Sequence, residues 1–370
     1  MQIGKYWGGL IVALGCALAT RACAAPAGGV TVVVEADQAK AVLGALRNPA
    51  LTITEALSIA ALPGSQGLIR KAKSYGRPAS DQTFAEALAA AAHHDAAAAD
   101  PSRFRFDQVR DHLDAVAATI ARLEDPSLHL IDGVKARIAS FTAPGLSGQV
   151  VGHLVVGGTS GGFAFGDPEF FLDIDRYPSA TLAATIMEHE LFHAVQAIAR
   201  VASATPPGAA ACIARVPHGN DLTELYDSLS MEGTASLVGD VAALPAGIDK
   251  PSDEERAHFT RNVGLVSRSV TQIELSVHGL NTGADVSYDD VYALGFYGDE
   301  VLYALGYVMA RAIAAEQGNG AVAELSGRPG ALFVERYRAL KDYGKSDRTP
   351  ALHVETLRSA ANLAACLHAK

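Results

Sequence analysis

His189, Glu190 and His193 stand in the order His-Glu-x-x-His within residues 181–199 (TLAATIMEHELFHAVQAIA), a stretch that holds no glycine or proline. Residues four apart on an α-helix are only about 40° apart around its axis. One helix would therefore turn both imidazoles to the same side. Two imidazoles so placed bind a single metal ion, and the glutamate between them projects toward a water held by that ion. The flanks agree with such a helix. Ser179 after Pro178 supplies an N-cap, and Leu182, Ile186, Leu191, Val195 and Ile198 recur at core-facing spacing. The neighbours Ile186, Met187, Leu191, Phe192, Ala194 and Val195 are uncharged, as a buried active-site helix requires; only Glu188 departs, and it can point outward. The competing reading is a solvated helix with two chance histidines, which would not need apolar neighbours on nearly every side.

Two histidines leave a catalytic zinc ion one protein ligand short. The extended pattern that adds a glycine and a third histidine fails, because Gln196 and Ala199 occupy those places, so the chain is not a metzincin. The best third ligand is Glu232 in Leu229-Ser-Met-Glu232-Gly-Thr-Ala-Ser-Leu-Val238, a carboxylate among small and apolar residues on a helix expected over 221–243. Burying such a group alone is costly, so a cation partner is expected. An arginine partner or a surface position would also account for it. His218, Asp221, Glu224 and Asp227 are rival ligands in a more polar, loop-like context.

His189, Glu190 and His193 followed by Glu232-Gly-Thr-Ala235 resemble the gluzincin arrangement, in which a second helix carries Glu-x-x-Ala or Glu-x-x-Asp. More narrowly, the chain resembles a group of exported bacterial proteins classed as zinc-dependent peptidases, of unknown function. The likeness is specific over about 165–240 and weaker over 288–315. It implies zinc on His189, His193 and Glu232, with Glu190 as general base. Gluzincins also supply a Tyr or His that stabilises the oxyanion, and no motif here singles it out. In that family the edge strand beside the cleft pairs with extended peptide backbone, so part of 163–175 would face substrate.

The elements that must position these residues can be read in outline. Val30 to Glu35 reads as a strand, and 37–140 as alanine-rich helices broken near Asn48-Pro49, Pro63-Gly64, Asp100-Pro101 and Asp125-Pro126. His93-His94-Asp95 interrupts one alanine run and reads as a solvated patch, since adjacent helix residues face different ways. Strands are expected at 149–156 and 169–175. The glycine run 157–162 between them leads into the strand Phe163-Ala-Phe165, so a hairpin turn is expected rather than a phosphate loop. After 288 the chain is tyrosine-rich. Tyr288, Tyr292, Tyr297, Tyr303 and Tyr307 each offer a hydroxyl to an oxyanion, Tyr303 and Tyr297 being preferred, yet each also fits an amphipathic core. His258 and His278 are lesser candidates, and Gly306 reads as a close-packing glycine.

Residues 1–24 read as a signal peptide: Lys5, an apolar run from Trp7 to Ala19, and Ala22-Cys23-Ala24 before a mature start at Ala25. This predicts export to the periplasm or medium; a lipoprotein through Cys16 or Cys23 fits worse. Losing Lys5 and Arg21 moves the formal charge from -10 to -12. An acidic chain without a basic tract is a poor partner for nucleic acid. No segment after the signal reads as a membrane span. Cys212 and Cys366 remain of four cysteines. In an oxidising compartment they would pair, the alternative being two buried thiols.

The expectation is an α+β, mainly helical protein: an N-terminal helical region over 25–144, a zincin-like catalytic domain over 145–345 with a small sheet and an active-site helix, and a tail over 346–370 tied back by the disulfide. Its expected function is zinc-dependent hydrolysis of peptide bonds in a peptide or protein substrate. The alternatives are a zinc-binding scaffold or regulator that cleaves nothing, and hydrolysis of another amide or ester.

Overall fold

A computed structural model describes residues 29–95, 98–203, 206–283, 286–296 and 300–367. Residues 1–24, expected as a signal peptide, with Cys16 and Cys23, and Tyr297, lie outside the described residues. The chain is mainly helical with one small mixed sheet, the α+β class expected. Contacts group it into two units, Thr31–Ala136 with Gln149–Ala194 and Arg137–Gly148 with Val195 onward, so the motif helix Ala180–Ala202 contributes to both. No described helix is long and apolar enough to cross a membrane.

In the first unit the alanine-rich segment breaks into helices where its polar and proline residues fall. Thr52 and Ser80 each begin a helix through a capping box, Thr52 with Glu55 and Ser80 with Thr83. Pro63 opens Pro63–Ser74 at a position where a missing N–H costs nothing. His93 ends the helix Asp81–Ala92, with its Nε2 2.9 Å from the Leu51 carbonyl oxygen, and His94 and Asp95 are exposed beside it.

Four strands form the sheet: β1 (Val30–Glu35), β2 (Gly148–Val155), β3 (Gly162–Ala164) and β4 (Glu169–Asp173), in the order β1-β2-β4-β3. β2 and β4 are parallel, whereas β3 is antiparallel to β4, with Phe163 opposite Phe171. The glycine run is therefore not a hairpin turn. It carries the chain from β2 past the end of β4 to β3, and the hairpin lies between β3 and β4. The physical reason is the anchoring of that crossing loop. Gly157 has φ +101°, and a Cβ there would lie 2.8 Å from the Phe104 carbonyl oxygen. Its N–H donates to Asp173 Oδ1 at 3.2 Å, and the Gly158 N–H donates to the Phe104 carbonyl at 2.6 Å. Asp173 is 1% exposed and takes Arg176 Nε on its other oxygen at 3.2 Å. Burial pushes its carboxyl well above the usual range.

In the second unit, helix Gly219–Val238 is buried on most of its surface. Gly233 packs directly on Gly306 of helix Val301–Gln317, and a Cβ on either would overlap the other's backbone. Gly306 is the close-packing glycine expected. The helix ends at Val238 rather than 243, because Gly239 leaves helical geometry and Asp240 caps a separate 3-10 turn, Val241–Ala243, accepting the Ala243 N–H at 3.2 Å. Cys212 and Cys366 are bridged, with Cα atoms 5.4 Å apart across 154 residues of sequence. Cys366 ends helix Val354–Cys366.

Candidate metal centre

The motif helix begins where Ser179 Oγ accepts the Leu182 N–H at 3.2 Å. Leu182, Ile186, Leu191 and Val195 are buried as their spacing predicts, and Ile198 is half-buried. Within this apolar surround His189 is 6% and Glu190 3% exposed, while His193 is half-buried. The two Nε2 atoms face each other 3.1 Å apart with the rings nearly perpendicular, at 81°. Two nitrogens bound at tetrahedral angles about 2.0–2.1 Å from one zinc ion would lie about 3.3 Å apart. The imidazoles are thus close to the spacing a shared ion requires.

His189, His193 and Glu232 form the one group of three or more potential ligands among the described residues, their ligating atoms all within 4.8 Å of one another. Two imidazoles and a carboxylate are a donor set suited to zinc. The rival ligands are engaged elsewhere. His218 Nδ1 is 3.4 Å from Asp221 Oδ2, Asp221 Oδ1 also accepts the Tyr288 N–H at 3.3 Å, and Asp227 accepts the Gly330 N–H at 2.6 Å. Glu224 is exposed.

Two residues hold the ligands in register and were not singled out as doing so by the sequence. Gln196 is buried, and its Nε2 donates to the Met231 carbonyl at 3.0 Å and to Thr234 Oγ1 at 2.9 Å. It thereby fastens the motif helix to the residue just before Glu232. Ala199, where a metzincin would carry its third histidine, packs against Gly327 and leaves no room for an imidazole. Gly162 is the other. Its Cα abuts the Glu190 carboxylate so closely that a Cβ would overlap Oε1. Glu190 therefore lies against the backbone of β3, an edge strand of the sheet. A glycine that leads into a short strand was the only available signal.

Among the tyrosines, Tyr303 is half-buried with its ring 5.7 Å from that of Phe296. Tyr292 stacks on Phe296 at 4.3 Å, and Tyr307 donates to Asp240 Oδ1 at 2.9 Å. Tyr288 OH is 2.7 Å from Ser228 Oγ, one helical turn before Glu232. Burial pushes its hydroxyl up to about 12, with the nearby charges of Glu224, Glu232 and Asp227 adding to the shift. It is a neutral O–H near physiological pH. His258 and His278 are held outside this cluster, by Glu300 at 3.3 Å and Glu355 at 3.0 Å.

No curated protein and no solved structure matches the chain. Residues 57–344 match the profile of the family described as "Putative zinc dependent peptidase (DUF5700)". That span takes in both halves of the histidine–glutamate cluster and most of the described chain, so the protein belongs to this family.

Proposed function

We propose that the protein is an exported zinc metallopeptidase of gluzincin type. The observation that carries the reading is the His189–His193–Glu232 cluster with the buried carboxylate of Glu190 on the same helix. These three side chains would hold the zinc ion, whose Lewis acidity lowers the pKa of water and polarises a carbonyl. Glu190 accepts the proton of the attacking water, then returns it to the leaving amine. Tyr288, neutral and tethered to Ser228, supplies a hydrogen bond to the developing oxyanion. β3, an edge strand whose own backbone lies against Glu190 at Gly162, offers its edge to an extended peptide. The His-Glu-x-x-His order, the donor set and the family membership support the reading. Export rests on the signal-like segment 1–24, and intact mass of periplasmic or secreted protein beginning near Ala25 would bear on it.

Metal analysis followed by a chelator-sensitive cleavage assay on a peptide library tests the function. About one zinc per chain with chelator-sensitive cleavage is expected. Zinc without cleavage of any peptide would favour the scaffold reading, and cleavage of esters alone would move the protein to another hydrolase class.

A further inference from the structure

Helix Pro63–Ser74 turns a lysine inward. Lys71 is 6% exposed, and no hydrogen bond or ion pair among the described residues ends on its ammonium. Its neighbours are the rings of Tyr75 and Phe163, with centroids 5.1 Å and 5.4 Å away. The stem is enclosed while the ammonium is left to the recess, and ring contacts at the outer end of their range supply little counter-charge.

Lys71 lines a shallow recess of about 240 Å³, counting its open mouth, together with Tyr75, Arg77, Arg103, Thr159 and Ser160. Three cationic residues line the recess and no carboxylate does, in a chain whose net charge is -10. Arg77 lies 4.9 Å from the centre of the Tyr75 ring that Lys71 also approaches, so two like charges share one ring. Hydroxyl donors complete the wall. Arg77 holds Thr159 Oγ1 at 2.9 Å, and Tyr75 OH meets Ser160 Oγ at 3.0 Å. Cationic side chains and hydroxyls in a lining without a carboxylate are what an oxyanion requires.

We propose that this recess binds an oxyanion, a carboxylate or phosphate group, through Lys71, Arg77 and Arg103. The recess is shallow and open, so a charged group would meet the cations at its mouth while the rest of a molecule stays outside. Phe163 lines it, while Gly162, the preceding residue of β3, faces Glu190. Successive strand residues point to opposite faces, so the recess and Glu190 lie on opposite faces of β3. The inference goes beyond the peptidase reading and needs neither metal nor Glu190.

Isothermal titration calorimetry at low ionic strength on the purified chain tests it, with inorganic phosphate and N-acetyl-glutamate amide as separate probes. Saturable binding of at least one probe is expected, weakened about 10-fold or more by Lys71→Met, as for loss of a charge-assisted contact. The exposed Lys73→Met and the metal-centre variant Glu190→Gln should bind like the parent. Binding of N-acetyl-glutamate amide assigns the site to an acidic peptide group, and binding of phosphate alone assigns it to a phosphorylated or free phosphate ligand. Arg77→Gln serves if Lys71→Met fails to fold. No saturable binding of either probe by the folded parent, or binding unchanged in folded Lys71→Met or Arg77→Gln, overturns the proposal. Because Glu190→Gln keeps this site, failure here leaves the peptidase reading standing, and failure of cleavage leaves this site standing.

Discussion

Glu190, Tyr288 and Asp173 are three polar groups withdrawn in part or whole from solvent, and each carries a different consequence. Tyr288 holds its proton and sits beside Ser228, where the charge of Glu232 is felt. Tyr288→Phe should leave zinc content unchanged and lower kcat by about 100-fold or more, the usual cost of losing an oxyanion donor. Parent-like kcat would remove Tyr288 from the reaction. Asp173 has its folded pKa raised, so its ionised form is a burden on the folded state. The parent binds the proton more tightly folded than unfolded, and its stability relative to Asp173→Asn should therefore rise as pH falls from neutral toward the ordinary carboxylate range. Melting temperatures of the two proteins across that window give the check; a constant difference would contradict it. At this scale the sequence was most legible for His189, Glu190 and His193, because their spacing is local to one helix. Gln196 and Tyr288 act through partners 35 and 60 residues away, Met231 and Ser228, which no spacing rule reveals.

At the level of elements, two glycines let backbones approach where side chains would intervene. Gly233 seats the Glu232 helix on Gly306, and Gly162 seats β3 on Glu190. The methyl of Gly162→Ala would press on the carboxylate, in a strand of only three residues. The expected outcome is a large loss of hydrolysis, with stability lowered by about 1–3 kcal/mol at most, the usual range for overpacking. Activity assays beside thermal melts read both, and a fully active Gly162→Ala would show that β3 does not lie against a working base. The helices and strands themselves were largely visible from caps, prolines and apolar periodicity. The sheet order was not. Gly157 to Gly162 has the composition of a turn, and only the tertiary anchors at Phe104 and Asp173 make it a crossing between strands that are not neighbours. The helix end at Val238 was likewise hidden, since Gly239 and the Asp240 cap compete with apolar residues that continue the pattern.

For the whole molecule, the Cys212–Cys366 bridge closes a separation of 154 residues. In the chain-entropy account such a closure adds about 5 kcal/mol. Reduction should lower the melting temperature substantially, and the unreduced chain should offer no alkylatable thiol at either position. Two free thiols in protein isolated from an oxidising compartment would contradict this. Pairing was open in the sequence, because two cysteines so far apart carry no spacing signal of their own. The same holds for Glu232, whose place beside the histidines depends on the fold of the intervening chain. The account as a whole rests on Glu190 acting as base beside a metal held by His189, His193 and Glu232. The most direct test is the peptide-cleavage rate of zinc-loaded Glu190→Gln against the zinc-loaded parent, with metal content measured on the same samples. Equal zinc and a rate at least ~100-fold lower in the variant is the predicted result. Equal zinc and a rate within a few-fold of the parent would contradict it.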